Sequence, residues 1–297
     1  MKYLKYIDKY VTSQKGKTFI VTGATSGIGR ALAFQLAYKD ANVILACRNI
    51  SKANKVKEEI LKQFPNANIE IAQYDQADFS SIDNFVNSIK DRKIDCLVLN
   101  AGIYHCHNDL TTVDGYPLTV GTNYIGAFYL CSKLDEKFKN GDIKRVVVTS
   151  SIVHRFGKTK HYEKYLLNVK NKPNRTYNVS KKMNYDFAAN LKTAIPNLEV
   201  VLTHPGLART NIIKEDHSSL PLFIKYAGDR FLKIFANSAE KSAICTLFAS
   251  TKDLKFDLEY VIPRGLFHLV GYPKIKYLNP SKIKNESLEL ATKKIVA

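Results

Sequence analysis

The sequence predicts an α/β protein: a doubly wound parallel β-sheet with helices on both faces. Three observations carry that expectation. A glycine-rich turn, Thr22-Gly23-Ala24-Thr25-Ser26-Gly27-Ile28-Gly29, joins the apolar run Phe19-Ile20-Val21 to a helical pattern that begins at Arg30. Short apolar runs then alternate with amphipathic segments as far as residue 203, as parallel strands joined by helical crossovers do. The 297 residues, 45% hydrophobic and 24% charged, suffice for one full core and have ordinary globular composition.

Residues 1–11 place Tyr3, Leu4, Ile7, Tyr10 and Val11 at helical spacing, with the lysines elsewhere on the wheel. This predicts a helix packed on the outer surface, with a basic helix lying on lipid as the other reading. The second strand is expected over 43–47, ending in Arg48-Asn49. An amphipathic helix follows over 51–64 through Ala53, Val56 and Ile60, stopped by Pro65. A third strand over 69–74 leads to Asp75, and Asp78 is placed to cap the helix carrying Ile82, Phe85, Val86 and Ile89. The fourth strand, 96–99, ends in Asn100-Ala101-Gly102. A long helix over about 113–139 precedes the fifth strand, 145–149. A Lys- and Asn-rich insertion over 155–175, a helix over 177–194 and a sixth strand over 198–203 complete the alternation. Past His204 the alternation weakens.

Composition narrows the classes of function. The net charge of +18 fits an anionic ligand or surface, but the lysines are spread along the chain and form no basic-aromatic module, so nucleic acid ranks last. Five cysteines at 47, 96, 106, 131 and 245 show no paired spacing, which fits a reducing cytoplasm better than a disulfide framework. His105-Cys106-His107 reads as a solvated loop, and no metal is expected. No run of about 18 apolar residues suggests a membrane span.

The glycine turn is the first chemical motif. A strand, a glycine turn and a helix N-terminus present backbone N–H groups and a positive helix end to a pyrophosphate. Gly23 permits the sharp exit from the strand, Gly27 lets backbone approach the phosphates, and Gly29 lets helix and strand close up. By itself such a turn has a bland alternative, a loop that only turns. The second motif is Tyr177-Asn178-Val179-Ser180-Lys181. It places a phenol and an ammonium four apart, on one helix face. A cation beside a tyrosine favours the phenolate and moves its pKa from about 10 toward neutrality.

Together these stretches resemble the short-chain dehydrogenase/reductase family over nearly the whole chain. The resemblance rests on Thr22 to Gly29, Asn100-Ala101-Gly102, Asn123, Ser150-Ser151, Tyr177 with Lys181, and Pro205-Gly206 with Thr210, in the family's order. The finer texture resembles the retinol-dehydrogenase-like branch: Ala46-Cys47-Arg48-Asn49, Asp114-Gly115-Tyr116, Asn123 to Phe128, Ser150 to His154, and the long gap from Ser151 to Tyr177. The resemblance implies a single Rossmann-type NAD(P)-binding domain over 1–297, with a substrate-facing excursion at about 207–237. It implies hydride transfer between NADP(H) and a carbonyl/alcohol pair, with a retinoid-, steroid- or lipid-like substrate from the branch.

Roles follow from the same resemblance. Tyr177 is the expected acid or base, and Ser151 holds the substrate oxygen. Lys181 holds the nicotinamide ribose and lowers the tyrosine pKa, and Asn123 helps place a water that links Lys181 to solvent. Gly23, Thr25, Ser26, Gly27, Ile28 and Gly29 cradle the phosphates. Asp75 accepts from the adenine, and Asn100, Ala101 and Gly102 line the ribose. Pro205, Gly206 and Thr210 meet the nicotinamide end. His154 matches a branch position and reads as a packed or capping histidine. Two stretches depart from the pattern: the polar triplet Tyr74-Asp75-Gln76, expected to alter the adenine pocket, and the last sixty residues, which match loosely.

Cofactor choice has its own signal. The second strand ends in Cys47-Arg48-Asn49, with no carboxylate before Glu58. An acid there selects the ribose hydroxyls of NAD, whereas a guanidinium pairs with the 2′-phosphate of NADP. Arg48 and Asn49 are therefore expected on NADP(H). From Leu220, the residues Phe223, Ile224, Ala227, Phe231, Ile234 and Phe235 fall on one helical face, with Pro221 in the first turn. This predicts a lid over the substrate, with peripheral membrane contact through Lys225, Arg230 and Lys233 as a second role. The alternative to an enzyme is an NADP(H)-sensing regulator of the same fold; both Tyr177 and Ser151 stand, which favours the enzyme. The oligomeric state has no signature.

Overall fold

In the computed structural model the described residues are 2–104, 110–157, 162–168, 172–208, 237–265 and 268–296. They build an eight-stranded sheet in the order β3-β2-β1-β4-β5-β6-β7-β8. The strands are β1 (Thr18–Thr22), β2 (Asn42–Cys47), β3 (Ile69–Gln73), β4 (Cys96–Leu99), β5 (Arg145–Thr149), β6 (Glu199–Thr203), β7 (Leu258–Pro263) and β8 (Pro273–Tyr277). All pairings are parallel except β7 with β8. The strand order reverses between β1 and β4. At such a switch point, crossovers leave to opposite faces and open a crevice beyond the strand C-termini.

The described helices are α1 (Lys2–Tyr10), α2 (Gly27–Tyr38), α3 (Ile50–Gln63), α4 (Phe79–Ser88), α5 (Gly126–Lys133), α6 (Tyr162–Leu167), α7 (Pro173–Ala194), α8 (Ala239–Thr251) and α9 (Glu286–Val296), with shorter turns between them. Alternate strand residues feed two cores. Ile20, Ile44, Leu97, Val146, Val200 and Tyr260 join Ile82, Phe85, Phe128 and Phe187 of α4, α5 and α7 on one side. Phe19, Val21, Val43, Val98 and Val201 join Leu32, Leu36, Ile60, Ile244 and Leu247 of α2, α3 and α8 on the other. A sheet buried on both faces explains why its strands read as nearly continuous apolar runs.

Local signals set most of the boundaries. Asn49 Oδ1 accepts from Lys52 N at 2.8 Å to cap α3, and Asp78 Oδ1 accepts from Ser80 N and Ser81 N at 2.9 and 3.2 Å to cap α4. Helix α1 lies on the domain: Ile7 and Val11 are buried, and Tyr6 stacks on Tyr272 at 4.0 Å.

Three boundaries differ from expectation. The helix expected from residue 113 starts at Leu118, because Gly115, at φ +85°, closes a turn in which Tyr116 N donates to Thr112 Oγ1, and Pro117 then precedes the helix. Asp114 is spent on Phe79 N, at 3.0 Å. The insertion at 155–175 carries α6, and Pro173 starts α7 four residues before Tyr177. Beyond His204 the alternation resumes with α8 and β7 and ends in the antiparallel β8, which the sequence pattern did not reveal. No described helix is long and apolar enough to cross a membrane. The predicted helix at 220–235, Thr210, and His105-Cys106-His107 lie outside the described residues.

Candidate active site

At the switch point the turns after β1 and β4 touch. Gly23, at φ +68°, lies against Ala101, whose Cα is 2.9 Å from where a Gly23 Cβ would stand. A Cβ on Gly29 would meet Gly23 O at 2.4 Å and Asn100 Nδ2 at 2.6 Å. Thr22 locks the two turns together: its hydroxyl donates to Val98 O and accepts from Asn100 N and Ala101 N, each within 3.1 Å. Asn100 Nδ2 donates to Thr22 O at 2.9 Å, so Asn100 serves the turn itself. Gly27, at φ +53°, opens α2, and the Ser26 side chain makes no capping bond to its first turn. The twelve-residue helix thus begins without a side-chain cap, behind a turn in which Gly23 and Gly29 leave no room for a side chain. This fits a pyrophosphate.

The end where the sequence places catalysis is built on α7 and on a π-helical turn, Gly121–Ile125, leading into α5. A π turn shifts one side chain out of register and is often found at functional sites. Asn123 stands at the middle of this turn. Its Oδ1 accepts from Ile103 N at 2.7 Å, and its Nδ2 donates to Ile103 O at 2.9 Å and to Ser180 Oγ at 3.0 Å. The side chain therefore ties the segment after Gly102 to α7. Lys181 is buried, with its Nζ 3.3 Å from where a Gly102 Cβ would stand. Burial pulls its ammonium down to about 8. Its carbonyl accepts from Ser150 Oγ at 2.8 Å, which pins α7 to the end of β5. Ser151 caps the short 3₁₀ turn Ile152–Phe156.

Tyr177 is half-buried, one turn before Lys181, whose Nζ lies 5.7 Å from the ring centre. The lowering of its pKa expected from Lys181 is not what the chain's own groups produce. Burial pushes the phenol up to about 12, and Tyr104 adds to the rise. The lysine faces the ring rather than fixing a phenolate, and at neutral pH the phenol keeps its proton. Tyr104, which the sequence reading missed, meets Tyr177 edge to face at 5.3 Å and donates to Asn174 Oδ1. Its only sequence signal was an aromatic two residues past Gly102.

At the end where the sequence places the adenosine, Arg48 is held loosely. Its side chain is 76% exposed, with Nη1 3.9 Å from Asp75 Oδ2. The other Asp75 oxygen accepts from Ala77 N at 3.0 Å, and Asn49 is spent as the cap of α3. The polar triplet turns inward: Tyr74 is buried and donates to Gln76 Oε1 at 3.0 Å, while Gln76 Nε2 donates to Ala101 O and Thr122 O. Gln76 thereby braces the β4 turn against the π turn that carries Asn123. Pro205 and Gly206 follow β6, and Gly206, at φ +84°, would place a Cβ 2.4 Å from Leu269 O. Among the described residues no group of three or more His, Cys, Asp or Glu is placed to hold a metal.

Comparison with known proteins agrees with this geometry. The short chain dehydrogenase family model matches residues 17–165. Human "Retinol dehydrogenase 11" is 30% identical over 78% of this chain and 73% of its own length. Mouse "Retinol dehydrogenase 13" is 34% identical over 66% of this chain and 60% of its own, and a chloroplastic short-chain dehydrogenase of Brassica napus, TIC 32 B, is 33% identical over 81% and 78%. An uncharacterized protein from Mycobacterium Paratuberculosis superposes with a TM-score of 0.72 at 26% identity, covering 96% of this chain and 95% of its own. Levodione reductase shares the fold, with a TM-score of 0.66 at 20% identity over 80% of this chain and 91% of its own. The chain belongs to the short-chain dehydrogenase/reductase family, in its retinol-dehydrogenase-like branch, and is an NAD(P)-dependent oxidoreductase of CH–OH and C=O groups.

Proposed function

We propose that the protein is an NADP(H)-dependent reductase of a hydrophobic aldehyde or ketone, acting as a single domain. The observation that carries the reading is the meeting of Asn123 and Lys181 beside Gly102, with the Tyr177 ring 5.7 Å from Lys181 Nζ and Arg48 rather than an acid at the end of β2. The cofactor, when bound, supplies the hydride. Gly23, Thr25, Ser26, Gly27, Ile28 and Gly29 would hold its phosphates, Arg48 its 2′-phosphate, and Lys181 with Asn100, Ala101 and Gly102 its riboses. Asp75 lies beside Arg48 and would share the adenine end. Pro205, Gly206 and Thr210 would line the nicotinamide end.

The chain's own contribution is orientation and one proton. Ser151 holds the substrate oxygen as negative charge develops on it, and Tyr177 delivers the proton to that oxygen. With its pKa raised by burial, the phenol carries at neutral pH the proton that this step needs. Lys181 Nζ, 5.7 Å from the Tyr177 ring centre, would reach the nicotinamide ribose, and Asn123 keeps the Ile103 segment and α7 at fixed spacing. The apolar residues of the 220–235 sequence and Phe156, exposed on the serine turn, support a hydrophobic substrate, as does similarity to proteins named retinol dehydrogenases. Peripheral lipid contact through Lys225, Arg230 and Lys233 belongs to the same reading. The four described cysteines, all free thiols and buried, fit a reducing cytoplasm. Oxidation of NADPH and of NADH is measured against a panel of aldehydes and ketones of graded size. Turnover of bulky apolar carbonyls with NADPH preferred is expected; preference for NADH, or no turnover across the panel, would contradict it.

A further inference from the structure

The turn that carries Ser151 is fastened to the helix that carries Tyr177 by a residue outside the site itself. Within the turn, Ser151 O accepts twice from one residue: from His154 N at 3.0 Å and from His154 Nδ1 at 2.6 Å. A carbonyl can only accept, so Nδ1 must carry the proton and the ring is in the Nδ1–H form. The same ring stacks on Tyr185, centroids 4.4 Å apart and planes 10° from parallel. Tyr177, Lys181 and Tyr185 stand at intervals of four on α7, one helix face. His154 therefore joins the serine peptide to the catalytic face of α7, one turn past Lys181. Tyr260 of β7 closes on the ring edge at 5.9 Å, and the imidazole is buried.

A second contact fixes the far end of the turn. Gly157 N donates to His154 O at 3.1 Å, and a Cβ on Gly157 would meet Lys182 Cβ at 2.6 Å and Asn178 O at 2.7 Å. The turn thus rests directly on α7 between Asn178 and Lys182, with the His154 ring stacked on Tyr185 of the same helix. Burial first, with Arg155 and Lys182, lowers the imidazolium pKa against the opposing pull of the Ser151 carbonyl, which favours the neutral Nδ1–H ring.

We propose that His154 is a positioning residue: it orients the Ser151 peptide, and so the Ser151 hydroxyl, toward Tyr177 by bonding to the Ser151 carbonyl while stacked on Tyr185. The inference rests on the roles assigned above to Ser151 and Tyr177. It adds a specific dependence that those roles alone do not require.

The test uses the full chain. His154→Leu fills the space without a donor; His154→Asn keeps an amide donor at the Nδ1 position. His154→Leu is expected to lower kcat by about tenfold to a hundredfold, the scale of a small misplacement of a catalytic group. NADPH affinity, read by fluorescence titration, should stay within about twofold, because His154 lies apart from the glycine turn and Arg48. His154→Asn should restore most of kcat. In a Ser151→Ala background, His154→Leu should cost nothing further, because it acts through Ser151. An unchanged kcat in His154→Leu, or an equal loss with Ser151 already removed, would overturn the proposal. Nitrogen-15 NMR of wild-type His154 decides it without turnover. A neutral Nδ1–H ring that does not titrate near pH 6.5 is expected, and an Nε2–H ring or free titration there would overturn it. Absence of carbonyl turnover by the wild-type protein would instead count against the proposed function and leave the NMR result to decide the clamp.

Discussion

The two ends of the site are built on opposite plans. At the catalytic end Asn123 and Lys181 are almost wholly buried, and every amide hydrogen and oxygen of Asn123 has a partner within 3.0 Å. At the adenosine end Arg48 stands three-quarters exposed, with one carboxylate at 3.9 Å. A buried, bonded group holds its geometry before any ligand arrives, which suits a step where a small displacement is costly. An exposed guanidinium contributes charge and hydrogen bonds without fixing the fold, which suits a choice between two related ligands. Substitutions at the first end should therefore change rate or stability, and at the second end only preference.

The largest expected effect is on rate. Tyr177→Phe keeps the ring against Tyr104 and removes the proton, so kcat should fall by about 10²–10⁴-fold while NADPH still binds. Steady-state kinetics and a binding titration on one preparation check this; a folded variant with near-normal turnover would break the assignment. Next comes the glycine turn. Gly29→Ala must displace Gly23 O from 2.4 Å, a backbone atom in the turn β1 shares with β4. We expect a loss of stability of about 1–3 kcal/mol and loss of both nucleotides together, read by denaturant melts and titration.

Lys181→Met sharpens the contrast by separating stability from activity. With its folded pKa near 8, below the usual 10.5, the ammonium destabilises the fold below pH 8. Between about pH 8 and 10.5 the unfolded chain binds the proton more tightly, so stability rises with pH through that window. At pH 7, Lys181→Met should abolish turnover yet stabilise the protein by on the order of 1–3 kcal/mol, since one unit of pKa is worth about 1.4 kcal/mol. The gain should shrink as pH passes 8 in thermal melts, and a gain that grows there would reverse the sign. The smallest effect belongs to Arg48→Asp. Its stability should be unchanged, and its preference should shift from NADPH toward NADH by about tenfold to a hundredfold, the value of a charge-assisted hydrogen bond.

Legibility in the sequence follows the same division. Glycine spacing, Asp78 as a cap and the strand runs were readable because each is a local constraint on backbone or burial. The alternation implied a parallel doubly wound sheet, but the strand order and the meeting of Gly23 with Ala101 came only with the structure. What could not be read were long-range choices. Gln76 looked like a change in the adenine pocket, yet it faces inward to Ala101 and Thr122, partners 25 and 46 residues away. Tyr104 gave no local sign that it would abut Tyr177. Beyond His204, strand β8 alternates lysines on an exposed edge, Lys274 and Lys276, a pattern indistinguishable from a loop until its antiparallel pairing with β7 is known.

The separation of the two ends is tested most directly by kcat of Arg48→Asp at saturating cofactor. We expect kcat with NADH close to that of the wild-type protein with NADPH, the loss with NADPH lying wholly in its affinity. A collapse of kcat with both nucleotides saturating would show that Arg48 serves the chemistry, and would contradict the account.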